Sequence, residues 1–130
     1  MTSAKPPPPA PAATRELWSH EFLDALVLAY YSEIARRVEL NPGLVSRAQA
    51  NLNRWLAGGG YSESQIRSLQ EWQPLLEPQR LPDLLRVMTD SGEEATRMRQ
   101  SGPFAGILTS EERRAIKENL KARWLQHGTV

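Results

Sequence analysis

His20 and His127 are the first side chains to weigh for catalysis or metal binding, and they lie near opposite ends of the ordered pattern. Glu16 and Asp24 stand one helical turn either side of His20. A zinc or iron centre draws on three or four ligands, and no further histidine or carboxylate falls at ligand spacing, so no metal site is expected. Gly58-Gly59-Gly60 invites comparison with a phosphate loop, but such a loop joins a strand to a helix. Here the run follows a helical pattern and reads as a helix end with a turn. Neither a Gly-x-Ser-x-Gly elbow nor a dinucleotide fingerprint is present. The acidic pairs Glu93-Glu94 and Glu111-Glu112 fall in the first turns of helical segments. Carboxylates are favoured there by the helix dipole, which accounts for both without general acid–base chemistry. With no cysteine in the chain, thiolate metal sites, disulfides and cysteine nucleophiles are excluded. The expectation is a protein that is not an enzyme and carries no cofactor.

Nucleic acid is the next partner to test. Arginine outnumbers lysine thirteen to three, and its planar fork suits phosphate and guanine. A helix ending near Ala57 and one opening near Ser62 could form a helix-turn-helix, with Arg54, Gln65 and Arg67 as contacts. The last helix offers Arg113, Arg114 and Lys117. Against this, the second of those helices carries Glu63 and Glu71, and the net charge is only +1, so the chain has no global pull toward a polyanion. DNA binding stands as the alternative reading.

The elements that position these groups follow from the spacing of apolar residues. The chain has 130 residues, the length of one domain. Five of its prolines fall in the first eleven positions. Residues 1–14 read as a disordered Pro-rich leader, because Pro and Ala cannot build a core, and residues 15–130 read as the helical domain. No run approaches the ~18 apolar residues of a membrane span, so a cytoplasmic protein is expected.

The first helix, from Arg15 or Ser19 to Leu40, carries two apolar stripes: Leu23, Val27, Tyr30, Ile34 and Val38, and beside it Trp18, Phe22, Leu26 and Ala29. One stripe suffices for a surface helix, so this helix must be central or covered by a partner. Asn41-Pro42 caps a second helix that buries Leu44, Ala48, Leu52 and Trp55 and leaves Arg47, Asn51 and Arg54 on a polar side. Ser62 with Gln65, Ser91 with Glu94 and Thr109 with Glu112 read as capping boxes opening a third helix through Trp72, a short polar one over Glu93–Gln100, and a last one burying Ile116, Leu120 and Trp124. Pro82 starts a further short helix through Met88. The fold class is all-α, a compact bundle of five or six helices.

Between the last two helices lies Ser101-Gly102-Pro103-Phe104-Ala105-Gly106-Ile107-Leu108-Thr109-Ser110-Glu111-Glu112-Arg113. With Ser91–Gln100 before it and Leu40–Trp55 upstream, this segment resembles a small bacterial helical family whose members end in a stretch like SPFAGVLTPEER. The similarity spans about residues 30–120. This chain has Gly102 where the pattern has Ser, Ser110 where it has Pro, and the Pro-rich leader. The resemblance implies a role in a toxin–antitoxin-like gene pair, as the antitoxin or regulatory partner, and it carries over no catalytic residue.

Physically, Pro103 restricts the loop, and Phe104, Ile107 and Leu108 can anchor it to the bundle. The resulting expectation is a non-catalytic regulator that binds a partner protein, a toxin-like enzyme or a second copy, through apolar helical surface. Trp18, Phe22, Leu26 and Phe104 are its candidate contacts, since aromatic anchors dominate interfaces.

Overall fold

The computed structural model describes residues 19–127. Among them are six α-helices and no strand: α1 (His20–Leu40), α2 (Val45–Gly58), α3 (Glu63–Gln70), α4 (Leu81–Thr89), α5 (Glu93–Arg99) and α6 (Ser110–His127). Three short 3₁₀ turns, Pro42–Leu44, Pro74–Leu76 and Pro78–Arg80, each begin at a proline, whose fixed φ and missing donor suit the first position of a helical turn. The leader and Trp18 lie outside the described residues.

The caps explain most of the boundaries. The Ser19 hydroxyl accepts the Phe22 amide at the start of α1. The Asn41 side chain accepts from Gly43. Ser62 and Gln65 satisfy each other's backbone amides at α3, as Thr109 and Glu112 do at α6. The box expected at Ser91 and Glu94 does not form. Gly92 is the N-cap of α5, its amide donates to the Asp90 carboxylate, and Glu94 pairs with Arg97 instead.

Helix α1 is the central element. Its C-terminal half supplies Tyr31, Ile34, Ala35 and Val38 to the main core. Around them pack Ala48 and Leu52 of α2, Leu84 and Met88 of α4, Met98 of α5, and Trp72 and Leu76 from the irregular segment between α3 and α4. Helix α3 ends at Gln70, so Trp72 sits in a turn. It is nevertheless fully buried, and its indole N–H donates to the Met98 carbonyl at 3.2 Å. Tyr31, Trp72 and Phe104 form an aromatic triad with ring centroids 5.7–6.2 Å apart, within the range where edge-to-face packing adds to area burial.

The N-terminal half of α1 builds a second, smaller cluster with α6. Phe22 meets Trp124 edge-on at 5.3 Å, Leu26 packs with Leu120, and Arg37 pairs with Glu112. Early α1 residues meet late α6 residues and the reverse, so the two helices run antiparallel.

Two polar readings change. Asn51, placed by spacing on the polar side of α2, is buried, and so is Arg99 of the short helix taken as polar, at 3% exposure. Arg99 donates through Nη1 to the carbonyls of Val87 and Asp90 at 2.8 and 2.7 Å. Arg99 thereby satisfies carbonyls at and just beyond the C-terminus of α4, groups a helix end leaves without intrahelical partners. Burial lowers its pKa, opposed by the nearby Asp90 and Tyr31, without bringing an arginine near neutrality.

Candidate functional site

The segment after α5 is a packed strap. Pro103, Phe104, Ile107 and Leu108 are buried, and its carbonyls are held from two helices. Asn51 Nδ2 donates to the carbonyls of Pro103 and Ala105, both at 3.0 Å. Arg47 donates to Gly106, and Arg37 donates to Ile107. This explains the burial of Asn51. Its amide satisfies carbonyls that the turn leaves unpaired, and Arg54 in turn donates to its Oδ1 at 2.6 Å. Gly106 has φ 87°, a left-handed conformation open to glycine and strained for other residues. Gly102 is required for a different reason: a Cβ there would collide with the Tyr31 hydroxyl.

Three of the expected partner contacts are therefore interior. Phe22 and Leu26 fill the α1–α6 cluster, and Phe104 lies 4% exposed in the aromatic triad. As packed, none presents a surface to a second molecule. Helix α6 covers Phe22 and Leu26 while α2, α4 and α5 surround Ile34 and Val38; Leu23 of the first stripe stays 43% exposed, and Val27, Tyr30 and Ala29 are half-buried. Trp18 lies outside the described residues.

What α1 leaves open is a third face. Ala25, Leu28, Ala29 and Ser32 face Ala115, Ile116 and Asn119 across an open groove of about 680 Å³. Small side chains on both walls let another helix approach closely. Spacing places Glu21 and Glu39 along the Leu28 edge of α1, and Glu111 and Glu118 along the Ala115 edge of α6. All four are exposed. Glu33 and Arg123 also line the groove; Arg36 is bound to Glu33, and Glu118 is ion-paired with Lys121 at 3.6 Å.

Beneath the N-terminus of α6, Arg37 links Glu33 to Glu112, at 2.9 Å to Glu33 and 3.0 Å from Nη1 to Glu112. Hydrogen bonds from Arg36 and then Arg37 hold the Glu33 carboxyl down at about 2, and Arg37 and the Thr109 amide do the same for Glu112. The network locks α6 to α1. A shared base or acid near neutrality is not what it provides.

The residues of the DNA reading are dispersed. Arg54 is held by Asn51, and the Gln65 carbonyl oxygen is spent on its capping box. Arg67 is exposed on α3, where Glu71 is tied to Arg97. Arg113 lies 5.1 Å over the Tyr30 ring, in cation–π range. Arg114 is exposed and Lys117 half-buried on α6. Helix α3 packs against α2, while α6 packs against α1, so the two basic groups belong to different parts of the bundle.

Among the described residues, no group of three or more His, Asp or Glu side chains could hold a metal ion, and no helix is long and apolar enough to cross a membrane. Neither a family model, nor a curated protein, nor a solved structure matches the chain.

Proposed function

We propose that this protein is a cytoplasmic, non-catalytic bacterial regulator of the antitoxin-like kind, and that it receives a basic amphipathic helix of a partner protein in the α1–α6 groove. The observation that carries this reading is the groove: apolar, small-walled and edged by Glu21, Glu39, Glu111 and Glu118. Burying aliphatic surface supplies the attraction, and the acidic edges select the charge of the occupant. A second copy offering the same face would set carboxylates against carboxylates, and like charges disfavour that pairing. A helix with Lys or Arg flanking its apolar side fits instead. The resemblance of the 101–113 segment to an antitoxin-like family supports a toxin-like enzyme as the owner of that helix.

The test is an NMR titration with two synthetic amphipathic helices of one apolar pattern, one flanked by Lys and the other by Glu. Saturable shifts at Ala25, Leu28, Ala29 and Ala115 are expected with the basic peptide and not with the acidic one. Ala29→Arg should abolish them and leave the circular dichroism spectrum unchanged. Equal binding of both peptides, or shifts centred elsewhere, overturns the reading. A toxin-like enzyme encoded next to this gene supports the assignment of the partner, and a neighbour of unrelated kind removes it.

The DNA-binding alternative keeps one supporting observation. Arg113, Arg114, Lys117 and Lys121 lie on the side of α6 away from the groove. Duplex binding that falls steeply with added salt, and is lost on Arg113→Gln with Arg114→Gln, would favour it.

A further inference from the structure

On the far side of the bundle, α2, α3 and the start of the 100–109 strap enclose a cleft of about 320 Å³, within the usual ~300–1,000 Å³ of small-ligand sites. Gly59 and Gly60, with φ of 73° and 87°, turn the chain sharply after α2, and Tyr61 and Trp55 both line the cleft, Tyr61 exposed. Leu69 is the buried floor, and the remaining walls are Ser64, Ser68, Gln65, Gln100 and Ser101.

Most polar side chains that cross between elements here are spent on carbonyls or ion pairs, as with Arg37, Asn51 and Arg99. In this cleft most are not, although the Ser101 hydroxyl donates to the Met98 carbonyl. Among the described residues the Trp55 indole, the Tyr61 phenol, the Ser64 and Ser68 hydroxyls and the Gln100 amide make no hydrogen bond, and Gln65 uses only its carbonyl oxygen. Hydrogen-bonding capacity left open around two aromatic rings, with no ionisable carboxylate or amine, suits a planar, neutral, amide-like edge. Through Ser64 and Ser68 the cleft adjoins a second depression lined by Arg67, Arg97, Gln70 and Glu71. Arg97 is engaged by Glu71 and Glu94, whereas Arg67 has no ion pair among the described residues.

We infer that this composite site binds a nucleotide: the base between Trp55 and Tyr61, its edge read by Gln65 and Gln100, and a phosphate on Arg67. Aromatic stacking with amide readout is how proteins take up unstacked bases, and an unpaired arginine is the natural phosphate contact. The ligand is a free mononucleotide or one unit of a single strand, which share this chemistry.

The test uses the full chain and follows Trp fluorescence and amide NMR shifts on titration with AMP, UMP, adenosine, inorganic phosphate and a short single-stranded RNA. Shifts at Trp55, Tyr61 and Gln100 are expected with AMP. Adenosine should bind about tenfold more weakly, and Arg67→Gln should bring AMP to the adenosine level while leaving adenosine unchanged. Tyr61→Ala, at an exposed position, should weaken both at least tenfold. Loss of the ligand-induced fluorescence change in Trp55→Phe identifies the reporting ring. Tighter binding of RNA than of AMP, with steep salt dependence and the same two losses, assigns the site to a single strand; the reverse order assigns it to a free nucleotide. Equal binding of AMP and adenosine, insensitivity to Arg67→Gln, or no shift with any of these probes overturns the proposal.

Discussion

Gly102→Ala is the sharpest test of how the strap and the core fit together. A methyl at this position would run into the Tyr31 hydroxyl, and the next ring atoms, Cζ and Cε2, would stand 2.8 and 3.1 Å away. The ring has little room to give. It is 8% exposed, with Trp72 at 6.2 Å and Phe104 at 5.7 Å between centroids, and burial holds its phenol protonated well above the ordinary range, against weaker pulls from Arg99 and the Gly102 amide. Backbone strain does not enter, because Gly102 is not among the glycines with positive φ. The reduced freedom of the unfolded chain returns only about 0.4–1 kcal/mol. Overpacking of this kind costs about 1–3 kcal/mol, which corresponds to a fall in Tm of about 4–12 °C for a domain of this size.

Urea and thermal denaturation followed by circular dichroism measure the loss. Tyr31→Phe should relieve part of it, since the oxygen goes and the ring carbon stays, and Tyr31→Leu should relieve more. The coupling between the two sites should exceed about 0.5 kcal/mol. A Gly102→Ala cost below about 0.5 kcal/mol, or one unchanged in the Tyr31→Leu background, refutes the steric argument.

Arg99→Met should destabilise by about 1–3 kcal/mol in urea unfolding, because it removes the donor to the part-buried Val87 and Asp90 carbonyls. Leu26→Asp should unfold the protein, whereas Ala29→Asp, one helical step away on the open groove, should leave a folded monomer by circular dichroism and light scattering. Glu33 and Glu112 have folded pKa values of about 2 against an ordinary 4.5. Depressed carboxyls contribute stability that is present above the unfolded value and lost as pH falls through the folded one. The urea midpoint should therefore decline from about pH 4.5 toward pH 2, less steeply in Glu112→Gln, and the decline should shrink in high salt because both groups are near the surface. An unchanged slope in Glu112→Gln would separate that carboxylate from the Arg37 network.

The local signals in this chain were legible without a fold. Asn41, Ser62 and Thr109 act as caps because a short polar side chain reaches an amide two or three residues away, an event confined to one turn. The 3.6-residue spacing of Leu26, Ile34, Val38, Leu52 and Leu120 likewise marked buried positions, since periodicity and burial are two views of one helix face. Other features depended on partners distant in sequence. Whether Asn51 and Arg99 turn to solvent or inward was decided by the carbonyls of the strap and of the α4 end, 52 and 12 residues away for Pro103 and Val87, which no spacing rule connects. Ser91 had the pattern of a cap, but α5 begins at Glu93 with Gly92 as its N-cap, so Ser91 stands one residue outside the helix end.

The candidate sites divide in the same way. The width of apolar surface on α1 announced that this helix needs neighbours on several sides. Only the packing of α6 onto Phe22 and Leu26 determined that those residues became core and that Ala25, Leu28 and Ala29 were left half-buried along the open groove. Trp55 and Gln100 could not be joined from sequence, because their meeting depends on the path of the chain between them, a property of the whole core.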